Sequence, residues 1–223
     1  MDNQIIVVGR DPLPSLIRLG EGEALRLTLI VPEGVSCEHA LEIDLDGRGA
    51  SLDLAGAWRC TGSERVKLQV VVRHNVPGCS SEQLFKGVVG GGAKAVFDGL
   101  VYVAHGAVKT VAHQQCHSLL LSEDASAEAC PQLEIYADDV ECSHGATTGY
   151  LNPDELFYMR SRGIPEDEAR QMQVEAFLAP ILERETPAAG AAGLLSPCTP
   201  GGRGAFPPTP PVVDNVSSND ELQ

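Results

Sequence analysis

The sequence predicts an all-β core of short stacked strands followed by a small helical segment. Three observations carry that prediction. Between about Gly22 and Gly149, short apolar runs recur roughly every 10–14 residues, and many alternate apolar with polar, the period of a half-buried strand. Turn signals stand among them: Asp46-Gly47, Pro77-Gly78, Gly90-Gly-Gly92 and Asp98-Gly99. Aromatics are scarce, with five Phe, four Tyr and one Trp in 223 residues, so the core must be built mainly from Val, Leu, Ala and Gly. Regular short strands fit a sandwich, a barrel or a solenoid, and the repeats are too degenerate for spacing alone to choose. The thin-core composition leans toward a solenoid, in which each rung packs on its neighbours.

The elements follow in order. Residues 1–20 read as a lead-in containing Pro12 and Pro14. Residues 21–150 form the β core, with runs such as Leu25–Val31, Ala40–Leu45, Ser51–Ala55, Val66–Val72, Ala95–Phe97, Leu100–Val103, Leu119–Leu121 and Leu133–Ile135. Asp-Gly pairs suit hairpins, which leaves room for a local antiparallel start. Residues 151–185 switch to helical character. Asn152 caps, Pro153 takes the first helical position, Asp154 and Glu155 favour the positive end, and Gly163 stops the helix. A second helix follows Pro165, with Val174, Phe177, Leu178, Ile181 and Leu182 as its apolar stripe. Pro180 lies inside that helix and is expected to kink or break it. Residues 186–223 hold seven prolines with much Gly, Ala and Ser, the composition of a disordered tail. Its Pro207-Pro-Thr-Pro-Pro211 run suits a polyproline ligand, but a frayed terminus is the simpler reading.

Charge and cysteine usage narrow the function classes. Thirty-one acids against sixteen bases give a net charge of −15, which repels phosphate backbones and makes nucleic acid and anionic membrane poor partners. The start, Met1-Asp-Asn-Gln-Ile-Ile-Val-Val8, carries an acid where a secretory signal has bases, and no run is long enough to span a membrane. Seven cysteines at irregular spacing, without Cys-x-x-Cys, read as a reduced set, so a cytoplasmic location is expected.

Cys142 and His144 are the most informative pair. Two residues apart in an extended chain, they share one face at roughly 7 Å along the strand. Thiolate and imidazole are ligands that iron, zinc and copper accept. Taken alone, the pair is weak evidence, since a buried thiol beside a satisfied histidine gives the same pattern. Cys116-His117 is a second pair, but neighbours in a strand face opposite ways and would share an ion only across a kink. Cys37-Glu-His39 has compatible spacing and reads as surface-loop chemistry. Gly87-Val-Val-Gly-Gly-Gly-Ala-Lys94 imitates a phosphate loop, yet Ala93 stands where lysine is required and a strand follows in place of a helix, so ATP binding by this chain is rejected. No catalytic triad or metalloprotease motif is present, and the chain is not expected to be an enzyme.

A set of motifs resembles the SufB/SufD family of iron–sulfur cluster assembly scaffolds. They are Gln83-Leu-Phe-Lys-Gly87, Val96-Phe-Asp-Gly99, Leu119-Leu-Leu-Ser122, Pro131-Gln-Leu-Glu-Ile-Tyr-Ala-Asp-Asp-Val140, Cys142-Ser-His-Gly-Ala-Thr147 and Leu156-Phe-Tyr-Met-Arg-Ser-Arg-Gly-Ile164. They run in order from about Val71 to Glu185, roughly half the chain. The resemblance implies a right-handed parallel β-helix. It also separates two branches. SufB-like chains resemble Pro-x-Ile/Val-Glu-Cys, whereas this chain has Ile135 at the cysteine position, and glutamates are missing on both sides of His144. The chain therefore resembles the SufD branch, although Cys116 is a more SufB-like feature.

The resemblance further implies a SufD-like scaffold that pairs with a SufB-like subunit through terminal strands and docks a SufC-type ATPase on residues 152–185. His144, with Cys142 less firmly, would contact a transient iron–sulfur cluster shared with the partner, and the partner would bind the ATP. Leu156, Phe157, Tyr158, Arg160 and Arg162 are the expected interface carriers; for Leu156 and Phe157, seating the helix on the β-helix is an equal alternative. A structural homodimer without cluster work and a carbohydrate-active β-helix protein are the rival readings. The latter would need clustered carboxylates and aromatic platforms, for which only Asp138-Asp139 and few aromatics answer.

Overall fold

The computed structural model describes residues 2–184, and the Pro-rich stretch read as a tail lies outside them. Eleven strands are described: β1 (Asp2–Val7), β2 (Leu16–Leu19), β3 (Ala24–Val31), β4 (Cys37–Leu45), β5 (Ser51–Cys60), β6 (Arg65–His74), β7 (Ser80–Val89), β8 (Lys94–Val103), β9 (Val111–Leu120), β10 (Ser126–Ile135) and β11 (Glu141–Tyr150). Two helices follow, α1 (Pro153–Ser161) and α2 (Glu166–Leu182). Odd-numbered strands form one sheet in the order β1-β3-β5-β7-β9-β11, and even-numbered strands form a second in the order β10-β8-β6-β4-β2. Successive strands alternate between the sheets, so the chain winds into a parallel β-helix of about five turns.

Every described strand pair is parallel, including β1 with β3 and β2 with β4, so the expected antiparallel start does not occur. The Asp-Gly pairs do other work. Asp46-Gly47 is a corner, with the Gly47 amide donating to the Leu19 carbonyl at 3.0 Å. Asp98-Gly99 lies inside β8, which runs unbroken where the sequence suggests two runs split by a turn. A Cβ at Gly99 would stand 2.6 Å from both Gln114 Oε1 and Phe97 Cε1, so glycine is needed there for close approach across the lumen. Within residues 1–20, β1 and β2 already pair with the two sheets.

Burial follows the period of two. Along β8 it alternates without a break, with Ala95, Phe97, Val101 and Val103 facing the lumen. Stacked neighbours are about one turn apart in sequence, for example 31 residues between Gln83 and Gln114 and 30 between His117 and Thr147. The lumen holds the main apolar cluster, from Ile6 and Leu25 to Phe97 and Cys116, with the Phe85 and Phe97 rings 4.3 Å apart. The outer face of the six-stranded sheet is also apolar at Ile30, Ala55, Ala57 and Val88, and α2 covers it with Val174, Leu178 and Ile181. Lys86 pins that contact: its ammonium donates to the Phe177 carbonyl at 2.8 Å and lies 4.7 Å from the centre of the Phe177 ring. Pro180 does not break α2, which continues to Leu182. It falls in the last turn with its ring exposed, so its missing N–H removes one hydrogen bond where the helix is ending.

Cys37-Glu-His39 opens β4 and is not a surface loop. Cys37 packs against the lumenal cluster, and His39 Nε2 lies 2.9 Å from the Pro14 carbonyl, which explains the pair as structure. After Val89 the Gly90–Gly92 corner leads straight into strand β8, and a side chain at Gly91 would collide with the Thr61 and Gly62 carbonyls.

One lumenal imidazole sets a pH dependence. His74 is fully buried, Nε2 sits 2.9 Å from Ser81 Oγ, and burial pushes its pKa down to about 4. The native ring is therefore neutral where the unfolded ring, ordinarily near 6.5, begins to take a proton. The unfolded state binds more protons in that window, so the stability contribution is complete above pH 6.5 and is lost as pH falls toward about 4, by roughly 3 kcal/mol at most. Urea unfolding from pH 7 to pH 4 is expected to show this decline in wild type and a shallower one in His74→Gln. Parallel profiles for the two proteins would contradict it.

Candidate functional site at the open end of the solenoid

Strands β10 and β11 are the outer edges of the two sheets, so together they form the last rung. The register fixes which side chains of β11 face the lumen. Cys142, His144, Ala146 and Thr148 stand over Ala112, Gln114, Cys116 and Ser118, all four of which are buried. On β10, Leu133 and Ile135 stand over the buried Val101 and Val103. The same positions that are sealed one rung earlier are open here. Ile135 is 41% exposed and Tyr150 58%, and His144 and Ala146 are exposed. No described residue is shown stacked over this rung; α2 folds back along the outer face of the odd-strand sheet and α1 packs on α2. Among the described residues β11 is an edge strand whose outer amide and carbonyl groups pair with no strand, beside half-apolar lumenal side chains.

His144 thus projects from the lumenal side of an open edge strand. Cys142 shares its face but not its exposure. The thiol is half-buried among Val101, Val103, Ala112, Leu133 and Val140. That burial raises its pKa; a backbone hydrogen bond from Ala112 offsets part of the rise, and the Glu141 charge adds to it. The sulfur therefore rests as a thiol, while His144 is the accessible donor. Among the described residues, no group of three or more His, Cys, Asp or Glu is placed to hold a metal ion. The rung offers two donors of its own, and a metal held here would need further ligands from outside the described residues.

The second Cys/His pair splits as strand geometry requires. Cys116 faces the lumen, fully buried, with its pKa pushed up to about 12 by desolvation. His117 faces outward, with Nδ1 2.7 Å from Thr147 Oγ1. Burial and the nearby Lys86 charge both lower its pKa. The two do not share an ion. His113, not singled out in the sequence, also faces outward, with Nδ1 2.7 Å from Ser143 Oγ and Nε2 3.8 Å from Glu82 Oε1. The turn-to-turn offset of about thirty residues is the signal that pairs these groups. Asp139 gives no support to a sugar-cleaving site, since its carboxylate pairs with Lys109 at 2.5 Å in a corner.

The helical segment is capped as expected. Asn152 Oδ1 accepts from the Asp154 and Glu155 amides at 3.0 and 3.4 Å, and Gly163 follows the helix at φ +87°. The expected interface residues do not all face outward. Leu156 is only 7% exposed, so it seats α1 and drops out of the accessible set. Phe157 and Tyr158 are 73% and 58% exposed. The Arg160 guanidinium lies 3.3 Å from Glu166, and that of Arg162 lies 5.2 Å from the centre of the Tyr158 ring. Beside them an apolar groove of about 770 Å³ runs between the end of β11 and the two helices, lined by Tyr150, Leu151, Tyr158, Met159, Met172 and Phe177.

Residues 16–177 match the family model for the SUF system FeS cluster assembly SufBD core domain. The chain belongs to the SufB/SufD family. It is 39% identical over 150 residues to the iron-sulfur cluster assembly protein SufD of Escherichia coli, a match covering 67% of this chain and 36% of that protein. It is 42% identical over 96 residues to SufD of Bacillus subtilis, covering 43% of this chain and 22% of the relative. It is 35% identical over 147 residues to the chloroplastic protein ABCI7 of Arabidopsis thaliana, covering 66% and 31%. Within the SufB/SufD family the chain is thus SufD-like, and it spans well under half the length of these relatives.

The contrast between the two donors of the SufD-like rung is open to chemistry. Cys142 is expected to react with iodoacetamide at pH 7.5 several-fold more slowly than a cysteine in an unstructured peptide, with the rate still rising above pH 9. Peptide mapping by mass spectrometry gives the rate, and alkylation as fast as the peptide would show that the thiol is not held in its protonated form.

Proposed function

We propose that this chain is a SufD-like scaffold component of iron–sulfur cluster assembly. It pairs with a SufB-like subunit through the open rung β10/β11 and offers His144 to a cluster that the two subunits share. The observation that supports this most is the placement of an exposed imidazole on the lumenal side of an edge strand that no described residue covers. A partner rung laid against β10 and β11 would satisfy their edge backbone groups and bury Ile135 and Tyr150.

The chemistry of the donors fits a cargo that must leave. One imidazole binds iron without neutralising its charge, and Cys142, held as a thiol, adds an anionic ligand only when deprotonated. The cluster stays incompletely held until a thiolate arrives from the partner. The chain then acts as a platform and not as an enzyme, in a cytoplasmic assembly. The exposed Phe157 and Tyr158, beside the apolar groove, form the face for a SufC-type ATPase, which binds the ATP. The energy of that ATPase would act on how the two scaffolds are arranged.

The test is iron and sulfide analysis of the complex of this chain with SufB-like and SufC-like subunits, purified anaerobically after co-expression. His144→Ala is expected to lower iron and sulfide several-fold per complex while the three subunits still co-purify. Unchanged iron and sulfide in an intact complex would remove His144 from cluster work and favour the structural reading, in which a second copy of this chain covers the rung.

A further inference from the structure

We propose that the apolar groove at the end of β11 holds a segment of this same chain, Arg203-Gly-Ala-Phe-Pro-Pro-Thr-Pro-Pro211, which lies outside the described residues. Its prolines and Phe206 pack on Tyr150, Tyr158 and Met172, and Arg203 meets Asp154 and Glu155. Tyr158 belongs to the face assigned above to a SufC-type ATPase, so the segment also restricts access to that face. This consequence, unlike the docking itself, rests on that reading.

The groove, of about 770 Å³, is walled by the end of β11, by α1 and by the Met172–Phe177 stretch of α2. Its aromatic and thioether walls stand open: Tyr150 and Tyr158 are each 58% exposed and Met172 44%. None of these three belongs to the apolar clusters that pack the solenoid or seat α2. One rim of the groove is acidic, formed by Asp154 and Glu155. Glu155 accepts from the side-chain amides of Asn152 and Gln173 at 3.2 and 3.0 Å, and among the described residues neither carboxylate pairs with a cation.

The segment carries the complementary chemistry. Arg203 is the sole cation after Arg184, and Phe206 is the sole aromatic after Phe177. They stand three residues apart, just ahead of two Pro-Pro pairs. Proline-rich segments dock on aromatic-lined grooves because their extended form is set before binding and little entropy is lost. An acidic rim fixes the direction of such a segment through an arginine. The acids further along, Asp214, Asp220 and Glu221, would be repelled by the same rim, which favours residues 203–211 over those that follow. The reach is sufficient. Arg184, bonded to Asp53, ends the described chain, and the groove residue Phe177 lies seven residues earlier, about 10 Å along the helix. Residues 185–202 connect Arg184 to Arg203 and span up to about 60 Å when extended, against about 25 Å for the whole of α2. Tethering on that scale raises the local concentration to the order of millimolar, so a contact too weak to form between separate molecules is populated within one.

Methionine supplies the probe, because the chain has three: Met159 and Met172 line the groove, and Met1 is remote in sequence. The experiment labels the methionine methyl groups with ¹³C in the full chain and reads them by NMR. Wild type is compared with Arg203→Glu and with a variant in which Phe206, Pro207, Pro208, Pro210 and Pro211 are all replaced by serine. The Met159 and Met172 signals are expected to shift in both variants while Met1 stays in place. A synthetic peptide of residues 201–213, added to the serine variant, should return them toward their wild-type positions. Ala176→Arg places bulk and positive charge on the groove wall without a helix-breaking residue; combined with the serine variant, and with an unchanged thermal midpoint, it should abolish the response to the peptide. Identical Met159 and Met172 signals in the wild type and the serine variant would overturn the proposal. So would a difference that vanishes on dilution, which would assign the groove to a second copy of the chain. In titrations with a SufC-like ATPase, the serine variant is expected to bind several-fold more tightly than the wild type. Equal binding, with methyl signals that respond as expected, would leave the docking intact and overturn the ATPase face at Tyr158 alone.

Discussion

Parallel stacking makes every rung the cover of the one before it, and among the described residues nothing covers the last rung. The rest of the molecule depends on that constraint. Cys116 is sealed because Ala146 lies above it, and Ala146 is exposed because nothing described lies above β11. A solenoid normally closes such an end with a capping element. Here α2 could have served, but its apolar stripe packs on the outer face of the odd-strand sheet, against Ala55 and Ala57. Among the described residues the fold therefore covers its side and leaves this end open, with edge backbone, half-buried apolar side chains and an imidazole on one surface.

The polar groups of the lumen run toward that same end. The column that holds leucines at Leu27 and Leu54 holds Gln83, then Gln114, then His144. Burying amides in an apolar channel is unfavourable unless they are bonded, and the two glutamines solve this between themselves for one bond only. A core selected for stability alone would continue the leucines. The switch from leucine to amide falls on the two rungs that precede that of His144.

Much of this was legible in the sequence, and the failures share a cause. Alternation located the strands, Asn152-Pro153 and Gly163 located α1, and the stripe from Val174 to Leu182 named the buried face of α2. Local signals misled where a distant contact decided the outcome. Asp98-Gly99 reads as a turn, but Gly99 is set by Gln114 on the other sheet, which no window around residue 98 contains. Cys37-Glu-His39 reads as a loop because the apolar run begins only at Ala40; its pairing with β6 makes it strand. Pro180 reads as a break because the helix end two residues later is not marked by its own residues. For the site, two-residue periodicity gave Cys142 and His144 a common face, but not which face would be open. That follows from the position of β11 as the edge strand of the described residues, which no local window contains. Leu156 and Phe157 are adjacent and equally apolar, and only the packing of α1 separates the buried one from the exposed one.

The central claim is that β11 is an unfinished edge completed by another subunit. Amide hydrogen exchange of residues 141–150 in the free chain and in the complex with a SufB-like subunit tests it most directly. The free chain should exchange these amides faster than the covered strand β9, and the complex should slow them by orders of magnitude while β5 and β7, deep in the solenoid, stay unchanged. Equal exchange at β11 in the free chain and the complex would contradict the account.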